Sequence, residues 1–292
     1  DYGSTIDSVL ALDAAHTAQY EAKRAQIYVA QHIGQYVGNG TERYAGPTAK
    51  ALLMAQAQRV KPTGYLTGYN LRDSLRSLEQ SNGRFTDKSK YGDYSNTFSQ
   101  SLAIIALRRV GVAVGAPAVR YLYLQQCPGG GFRQTEADTR CATASADVDS
   151  TSVAVQALVA VPQGSEETSR IARAMTYLTG QQHADGGMAG GSLGENSNTT
   201  GLAALAFASG GRTTQASKAK AFLGNLMYGC SAASRLRGLI AYTQATHDGT
   251  GRTTEQELKA TSQALQGLAG VPYRSVTNIG ARGANTGLPC VG

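Results

Sequence analysis

Two carboxylates and two hydroxyls stand close together in the segment Asp147-Val148-Asp149-Ser150-Thr151. A carboxylate at the start of a helix can accept hydrogen bonds from the free N–H groups of the first turn. The same side chains could instead contact a bound ligand. A third role is chemical, because a buried carboxyl group that stays protonated beside a second carboxylate can act as a general acid. Asp147 and Asp149 are therefore candidates for all three roles.

The same pattern returns 49 positions later, which indicates internal repeats. Asp147–Ala154 aligns there with Asn196–Ala203, and upstream of these segments Tyr121–Phe132 aligns with Tyr177–Met188. Each unit holds a helix, a glycine-rich turn, a polar loop and an apolar helix opened by Ser or Thr. Asn198 stands where the first unit has Asp149, as expected if this position serves the helix start. Repeats of about 50 residues are typical of stacked or closed helical arrays.

The repeats predict two layers of helices. The first helix of each pair carries charge, such as Arg170 and Arg173, and should face solvent. The second helices are nearly uncharged and rich in Ala, which indicates an inner layer that is buried on most sides. The clearest inner helices are Ser101–Leu107, Ser152–Ala160 and Gly201–Ala208.

The predicted helices near the chain ends suggest how the array closes. Ser234–Ala245 is the predicted inner helix of a fifth pair, and Thr5–Ala15 begins like an inner helix. Thr254–Ala269 is amphipathic and is interpreted as an outer helix that pairs with it, which would bury the faces an open array must cap. The expected contacts join Leu258, Leu265 and Leu268 to Val9, Leu10 and Leu12. We expect residues 1–292 to form one closed domain.

A closed ring of this kind predicts a ligand site at one end. Its inner helices run parallel, so their first turns and their dipoles converge there. Tyr side chains in nearby loops add large faces with a hydroxyl, which suit recognition of a partner or a carbohydrate. The candidate ligand-binding residues are Tyr44, Tyr94, Asn96, Asp147, Asp149, Thr151, Asn196 and Asn198.

The turn Gln182-His183-Ala184-Asp185-Gly186-Gly187-Met188 resembles a known repeat. Gln-x-x-Asp-Gly-Gly followed by an aromatic residue or Met is shared by protein prenyltransferase β-subunits, squalene and terpene cyclases, complement thioester domains and vitamin B12 carriers. The resemblance extends over essentially the whole chain, and it implies an all-α (α/α)6 toroid with inner and outer rings of helices. It implies no single activity, because this fold hosts unrelated functions.

Two of these families suggest specific functions. Asp147-Val148-Asp149-Ser150 is similar to the Asp-x-Asp-Asp motif of class II terpene cyclases, which would make Asp149 the general acid for cyclising an isoprenoid. Ser150 replaces the last acid, and the absence of Trp with only five Phe leaves few rings to stabilise a carbocation. The segment also resembles the Val-Asp-Thr-x-x-Met-Ala helix start of vitamin B12 carriers, which implies a corrinoid or other small-molecule carrier. Those carriers add a small β domain, for which we expect no room within these 292 residues.

Other site types are not supported by the sequence. The four His residues lack metal-ligand spacing, and the HExxH pattern does not occur, so no metal or cofactor is predicted. The thioester signature Gly-Cys-Gly-Glu-Gln is absent too. The net charge of +7 is scattered rather than gathered into a stripe, which argues against nucleic acid as a partner. No apolar run of about 18 residues predicts a membrane span.

The four cysteines of the chain indicate the redox environment in which the protein works. Cys127–Cys141 and Cys230–Cys290 are the simplest of three possible pairings. Persistent disulfides indicate an oxidising compartment, and we expect a mature secreted protein whose signal peptide has been removed.

These observations favour a secreted, non-catalytic binding or interaction protein without a cofactor. Its partner would be a small molecule, a carbohydrate or a protein that contacts the polar end of the ring. The alternatives are a terpene cyclase-like enzyme with Asp149 as acid and a corrinoid or other small-molecule carrier. In the favoured interpretation Asp149 caps its helix and donates no proton.

Overall fold

The structure, a computed structural model, describes residues 1–65, 68–142, 146–190, 194–249, 251 and 253–284. Two short antiparallel strand pairs accompany the helices: β1 (Thr63–Tyr65) with β2 (Tyr69–Asn70), and β3 (Phe132–Arg133) with β4 (Ala146–Asp147). The helices, numbered along the chain, are α1 (Tyr2–Ala14), α2 (Gln19–Gln31), α3 (Ile33–Val37), α4 (Ala45–Ala57), α5 (Leu71–Arg76), α6 (Thr97–Arg109), α7 (Ala116–Leu124), α8 (Val148–Ala160), α9 (Ser165–Gln181), α10 (Ser197–Ser209), α11 (Thr213–Asn225), α12 (Gln244–His247) and α13 (Thr254–Ala269).

Six helices form a closed inner ring, in the order α1, α4, α6, α8, α10 and α13. Each packs on the next, and α13 packs on α1 to complete the circle. The outer layer consists of α2 with α3, then α5, α7, α9 and α11, each following one inner helix in the chain. The core lies in and between these layers, and every residue from Ser101 to Leu107 in α6 is buried. This arrangement confirms the predicted all-α toroid.

The glycine turns make the same contacts in successive repeats. Gln182 Nε2 donates to the carbonyl oxygens of Gly186 (3.2 Å) and Gln215 (3.0 Å), so one amide ties the turn to the next outer helix. Gln126 makes the equivalent two bonds one repeat earlier. Gly186 has φ +97°, and a Cβ there would lie 2.2 Å from the carbonyl oxygen of Lys218. The turn therefore requires glycine both for its conformation and for the close approach.

A second repeated contact sets the rotation of the inner helices. The backbone N–H just beyond each turn donates to one side chain of the next inner helix. Where this acceptor is a threonine, its hydroxyl also donates to the backbone carbonyl four residues earlier. The donor and acceptor pairs are Phe85 with Gln100 (2.9 Å), Phe132 with Thr151 (2.8 Å), Met188 with Thr200 (3.0 Å) and Ile240 with Thr261 (2.8 Å). We call Gln100, Thr151, Thr200 and Thr261 the register residues.

The interpretation of Thr254–Ala269 as an outer helix was wrong. This helix, α13, packs between α10 and α1 in the inner ring. A Cβ on its Gly267 would lie 2.4 Å from the carbonyl oxygen of Gly201 in α10, so the two backbones touch. Its leucines do not face α1 as predicted: Leu258 is 54% exposed, and the other two join a cluster with Phe222 of α11. Ring closure is confirmed, but through the small residues of α13.

The predicted helix Ser234–Ala245 was also wrong. Turns occupy most of this segment, Met227 forms an antiparallel bridge with Ile240, and only α12 is helical. The chain therefore passes from α11 to the inner helix α13 through a long irregular connection.

The disulfide Cys127–Cys141 is present, as predicted, with its Cα atoms 4.7 Å apart. The second expected pairing involves Cys290, which lies outside the described residues. Within the part of the chain that the structure describes, no helix is both long and apolar enough to cross a membrane.

The turn geometry predicts opposite effects for two neighbouring glycines. Gly186→Ala should lower the free energy of unfolding by about 2 kcal/mol or more, because alanine is strained at this φ and its Cβ would overlap the Lys218 carbonyl oxygen. Gly180→Ala, inside α9 with nothing near the added Cβ, should raise it by up to about 1 kcal/mol. Urea unfolding measures both. A Gly186→Ala protein as stable as the parent would contradict this account of the turn.

Candidate functional site

The register residues determine which side chains face the axis of the ring. Thr5 and Thr48 hold the equivalent place in α1 and α4, since each donates to the carbonyl four residues earlier. In all six inner helices, the residue two positions before the register position and the residue two positions after it lie on the same face of the helix. That face supplies every inner-helix residue that lines the central cavity.

The cavity, which we call the lumen, has a volume of about 160 Å³. We call the end of the ring where Asn96, Asp147 and Asn196 cap α6, α8 and α10 the mouth. The wall of the lumen is apolar on one side and polar on the other, with an aromatic ring supplied by the chain beyond α13. The lining residues are Asp7, Lys50, Phe98, Leu102, Asp149, Leu202, Gln263 and Tyr273.

Asp149 is the second residue of α8 and points into the lumen. The Thr199 hydroxyl hydrogen-bonds to its carboxyl group, while its Oδ1 is buried and has no partner among the described residues. Burial, with the nearby charge of Asp147 as a second cause, raises the pKa of Asp149 to about 6. The cap of α8 is Asp147, whose Oδ1 accepts from the Ser150 backbone N–H at 2.7 Å. The interpretation of Asp149 as the cap was therefore wrong.

The facing wall carries a paired carboxylate. Asp7 of α1 forms an ion pair with Lys50 of α4 at 2.7 Å, and Gln263 of α13 donates to its second oxygen at 3.3 Å. Asp7 is only 7% exposed, so these two partners compensate the desolvation of its charge. The lumen thus holds one carboxylate with a cationic partner and one that has none among the described residues.

The remaining predicted ligand-binding residues fall into three groups. Asn96 and Asn196 cap their helices by accepting from the N–H three residues on, and Thr151 is fully buried in its register contact. Asn198 lies one turn before Leu202 on the lumen face, and its Oδ1 is buried without a partner in the described ranges. Tyr44 and Tyr94 lie at the mouth, where Tyr94 is 75% exposed, and neither lines the lumen.

Several residues of the site were not predicted. Asp7, Lys50, Gln263 and Tyr273 lie far apart in the sequence and meet only when the ring closes. The signal that could have found the first three is the repeat register, since each lies two residues after a register position. Thr199, which orients Asp149, was likewise missed. Among the residues that the structure describes, no group of three or more His, Cys, Asp or Glu side chains is placed to hold a metal ion.

No family model matches the chain, and no curated protein sequence matches it. Similar folds occur among solved structures. A protein from Actinoplanes aligns with a TM-score of 0.61 and 16% identity, over 91% of this chain and 89% of that one. The type II terpene cyclase MstE from Scytonema aligns with a TM-score of 0.63 and 13% identity, over 91% and 87%.

Haptocorrin in complex with Cbi aligns with a TM-score of 0.59 and 14% identity, over 95% of this chain and 64% of that one. Identities this low show the fold and not the activity. The chain has the α/α-toroid fold of the type II terpene cyclases and of haptocorrin.

Proposed function

We propose that the protein binds a compact organic molecule in the lumen and does not transform it. The observation that carries this proposal is the pair of buried oxygens, Asp149 Oδ1 and Asn198 Oδ1, that lack partners within the described residues. Buried polar atoms are nearly always hydrogen-bonded, since an unsatisfied one lowers stability. The two residues hold equivalent positions on the adjacent helices α8 and α10, so one ligand at the mouth side of the lumen could satisfy both.

The lumen indicates the chemistry of such a ligand. Its volume of about 160 Å³ suits a molecule near the size of benzene, because an apolar cavity of about 150 Å³ can bind benzene. Phe98, Leu102 and Leu202 would contact an apolar ring. Protonated Asp149 would donate to an acceptor, and Asn198 Oδ1 would accept from a donor. A primary carboxamide on a small ring offers both groups side by side.

The disulfide supports the proposal that this binding takes place outside the cytoplasm. Cys127–Cys141 closes a loop beside the turn that precedes α8, and such bonds persist in oxidising compartments. We therefore propose a secreted binding protein.

A second candidate function is a terpene cyclase-like enzyme, with Asp149 as general acid. The observation that favours it is a carboxyl group aimed into a partly apolar cavity, with a pKa raised to about 6. The volume of the lumen argues against it, since a long linear isoprenoid would have to fold within about 160 Å³.

The raised pKa of Asp149 predicts a pH-dependent stability. Between about pH 4 and pH 6 the folded protein holds a proton that the unfolded chain releases, so the free energy of unfolding falls as pH rises and stays reduced above pH 6. Asp149→Asn removes this penalty. It should be more stable than the parent by about 3 kcal/mol at pH 7.5 and nearly equal to it at pH 3.5. Urea unfolding at both pH values tests this, with the exposed Asp185→Asn as the control.

Benzamide is a suitable probe of the proposed binding. Isothermal titration should show binding at pH 5 that is about tenfold weaker at pH 8, because ionised Asp149 can no longer donate to the amide oxygen (about 1.4 kcal/mol). Asp149→Asn keeps a donor at both pH values and should bind equally at both. Asp149→Ala should bind weakly at both. If the parent binds benzamide with the same affinity at pH 5 and pH 8, Asp149 does not contact the ligand.

The enzyme hypothesis makes a different prediction. We expect no cyclic product when the parent protein is incubated with geranylgeranyl diphosphate or squalene and the extracts are analysed by mass spectrometry. A cyclic product that the parent forms and Asp149→Asn does not would establish Asp149 as a proton donor and overturn non-catalytic binding. Asn preserves the shape of the side chain but supplies no acidic proton.

A further inference from the structure

Residues 271–284, which we call the plug segment, cross the end of the ring opposite the mouth. α13 ends at Gly270, whose left-handed φ of +72° turns the chain back beneath the inner helices. Backbone groups of the segment then bond to four inner helices in or just beyond their last turns. The contacts are Tyr273 N–H to Gln156 Oε1 (3.1 Å), Arg109 Nη1 to the Tyr273 carbonyl (2.6 Å), Arg109 Nη2 to the Val276 carbonyl (2.7 Å), Asn278 N–H to the Ala57 carbonyl (3.0 Å) and Arg282 N–H to the His16 carbonyl (3.0 Å).

Tyr273 is the plug residue whose side chain reaches the lumen. It is 8% exposed and lines the cavity together with Asp7 and Asp149. Its backbone N–H bonds to Gln156, which lies seven residues beyond Asp149 in α8 and so about 10 Å farther from the mouth. The ring of Tyr273 therefore enters from the closed end, while Asp149 enters from the mouth end. Burial and the two carboxylates raise the pKa of Tyr273 far above its ordinary value, so the phenol stays neutral.

We propose that Tyr273 is the floor of the lumen and the residue that determines how long a ligand can be. The inference rests on the proposed function and extends it. A ligand held at its polar end by Asp149 and Asn198 points its apolar end toward the closed side of the ring. Phe98, Leu102 and Leu202 line the lumen beside such a ligand, and Tyr273 lines it from the end toward which the ligand points.

The plug segment is held in place by hydrogen bonds to its backbone, and these do not involve the Tyr273 side chain. Arg109 donates to two plug carbonyls and Gln156 accepts the Tyr273 N–H, and none of these bonds uses the Tyr273 side chain. Burial lowers the pKa of Arg109 to about 10, with the charge of Asp13 opposing the shift, so the guanidinium remains charged at neutral pH. A shorter side chain at 273 should therefore leave the segment in place and deepen the lumen by about one ring.

The test compares benzamide with 4-ethylbenzamide and biphenyl-4-carboxamide at pH 5. The parent should bind benzamide and lose at least tenfold in affinity with the biphenyl compound. Tyr273→Ala should bind the biphenyl compound at least tenfold more tightly than the parent does. Tyr273→Phe keeps the ring but lacks the hydroxyl, and it should keep the parent's limit on ligand length. This variant therefore tests whether the ring or the hydroxyl sets the limit. Thermal melts confirm that each variant is folded.

Two further measurements keep the outcome decisive. Tyr273→Leu, which retains apolar packing, should shift the limit part of the way if Tyr273→Ala does not fold. Biphenyl makes no hydrogen bond and is longer than one ring, and it should bind Tyr273→Ala but not Tyr273→Phe. An unchanged length limit in Tyr273→Ala, with benzamide still bound, would overturn the floor assignment alone. Absence of benzamide binding to the parent, with biphenyl bound by Tyr273→Ala but not by Tyr273→Phe, would instead overturn the proposed function and leave the floor in place.

Discussion

The structure depends on one repeated hydrogen bond, from the backbone N–H beyond each glycine turn to the register residue of the following inner helix. A helix packed in a ring can rotate about its own axis, and this bond selects one rotation. Once Thr151 faces the turn, the helical period directs the residues two before and two after it toward the axis. In α6, α8, α10 and α13 the residues of the lumen wall are therefore determined by contacts on the far side of the helix, outside the cavity itself.

Electrostatics inside the ring is governed by desolvation more than by the helix dipoles. The converging first turns favour anions at the mouth, by roughly 0.3–1 kcal/mol for each helix end. A pKa of Asp149 near 6, about two units above its ordinary value, corresponds to roughly 3 kcal/mol in the opposite direction. Asp7, about one turn farther from the mouth, has Lys50 and Gln263 as partners. Among the residues that the structure describes, Asp149 has no such cation beside it.

The fold could be predicted from the sequence because its repeats carry local signals: a glycine turn, a capping residue and an Ala-rich helix. Prediction failed where a repeat departs from that pattern. The register residue of α13 is its eighth residue rather than its fourth, so this inner helix begins with an added turn that carries Glu255 and Glu257 and makes it look amphipathic. The site was only partly predictable for a related reason. Asp149 stands in a motif that can be recognised locally. Asp7 and Gln263 become part of the site only through their contact with each other, across 256 positions of sequence.

Closure between α1 and α13 also bears on how the molecule folds. Neighbouring helix pairs along the chain make contacts of modest sequence separation, which can form early, whereas the contact of Asp7 with Gln263 spans almost the whole chain. An arc of correctly packed helices can therefore exist before any ring does. In such an arc Asp149 would still face water and titrate as an ordinary carboxylate. The raised pKa of this group thus depends on the burial that the completed ring provides.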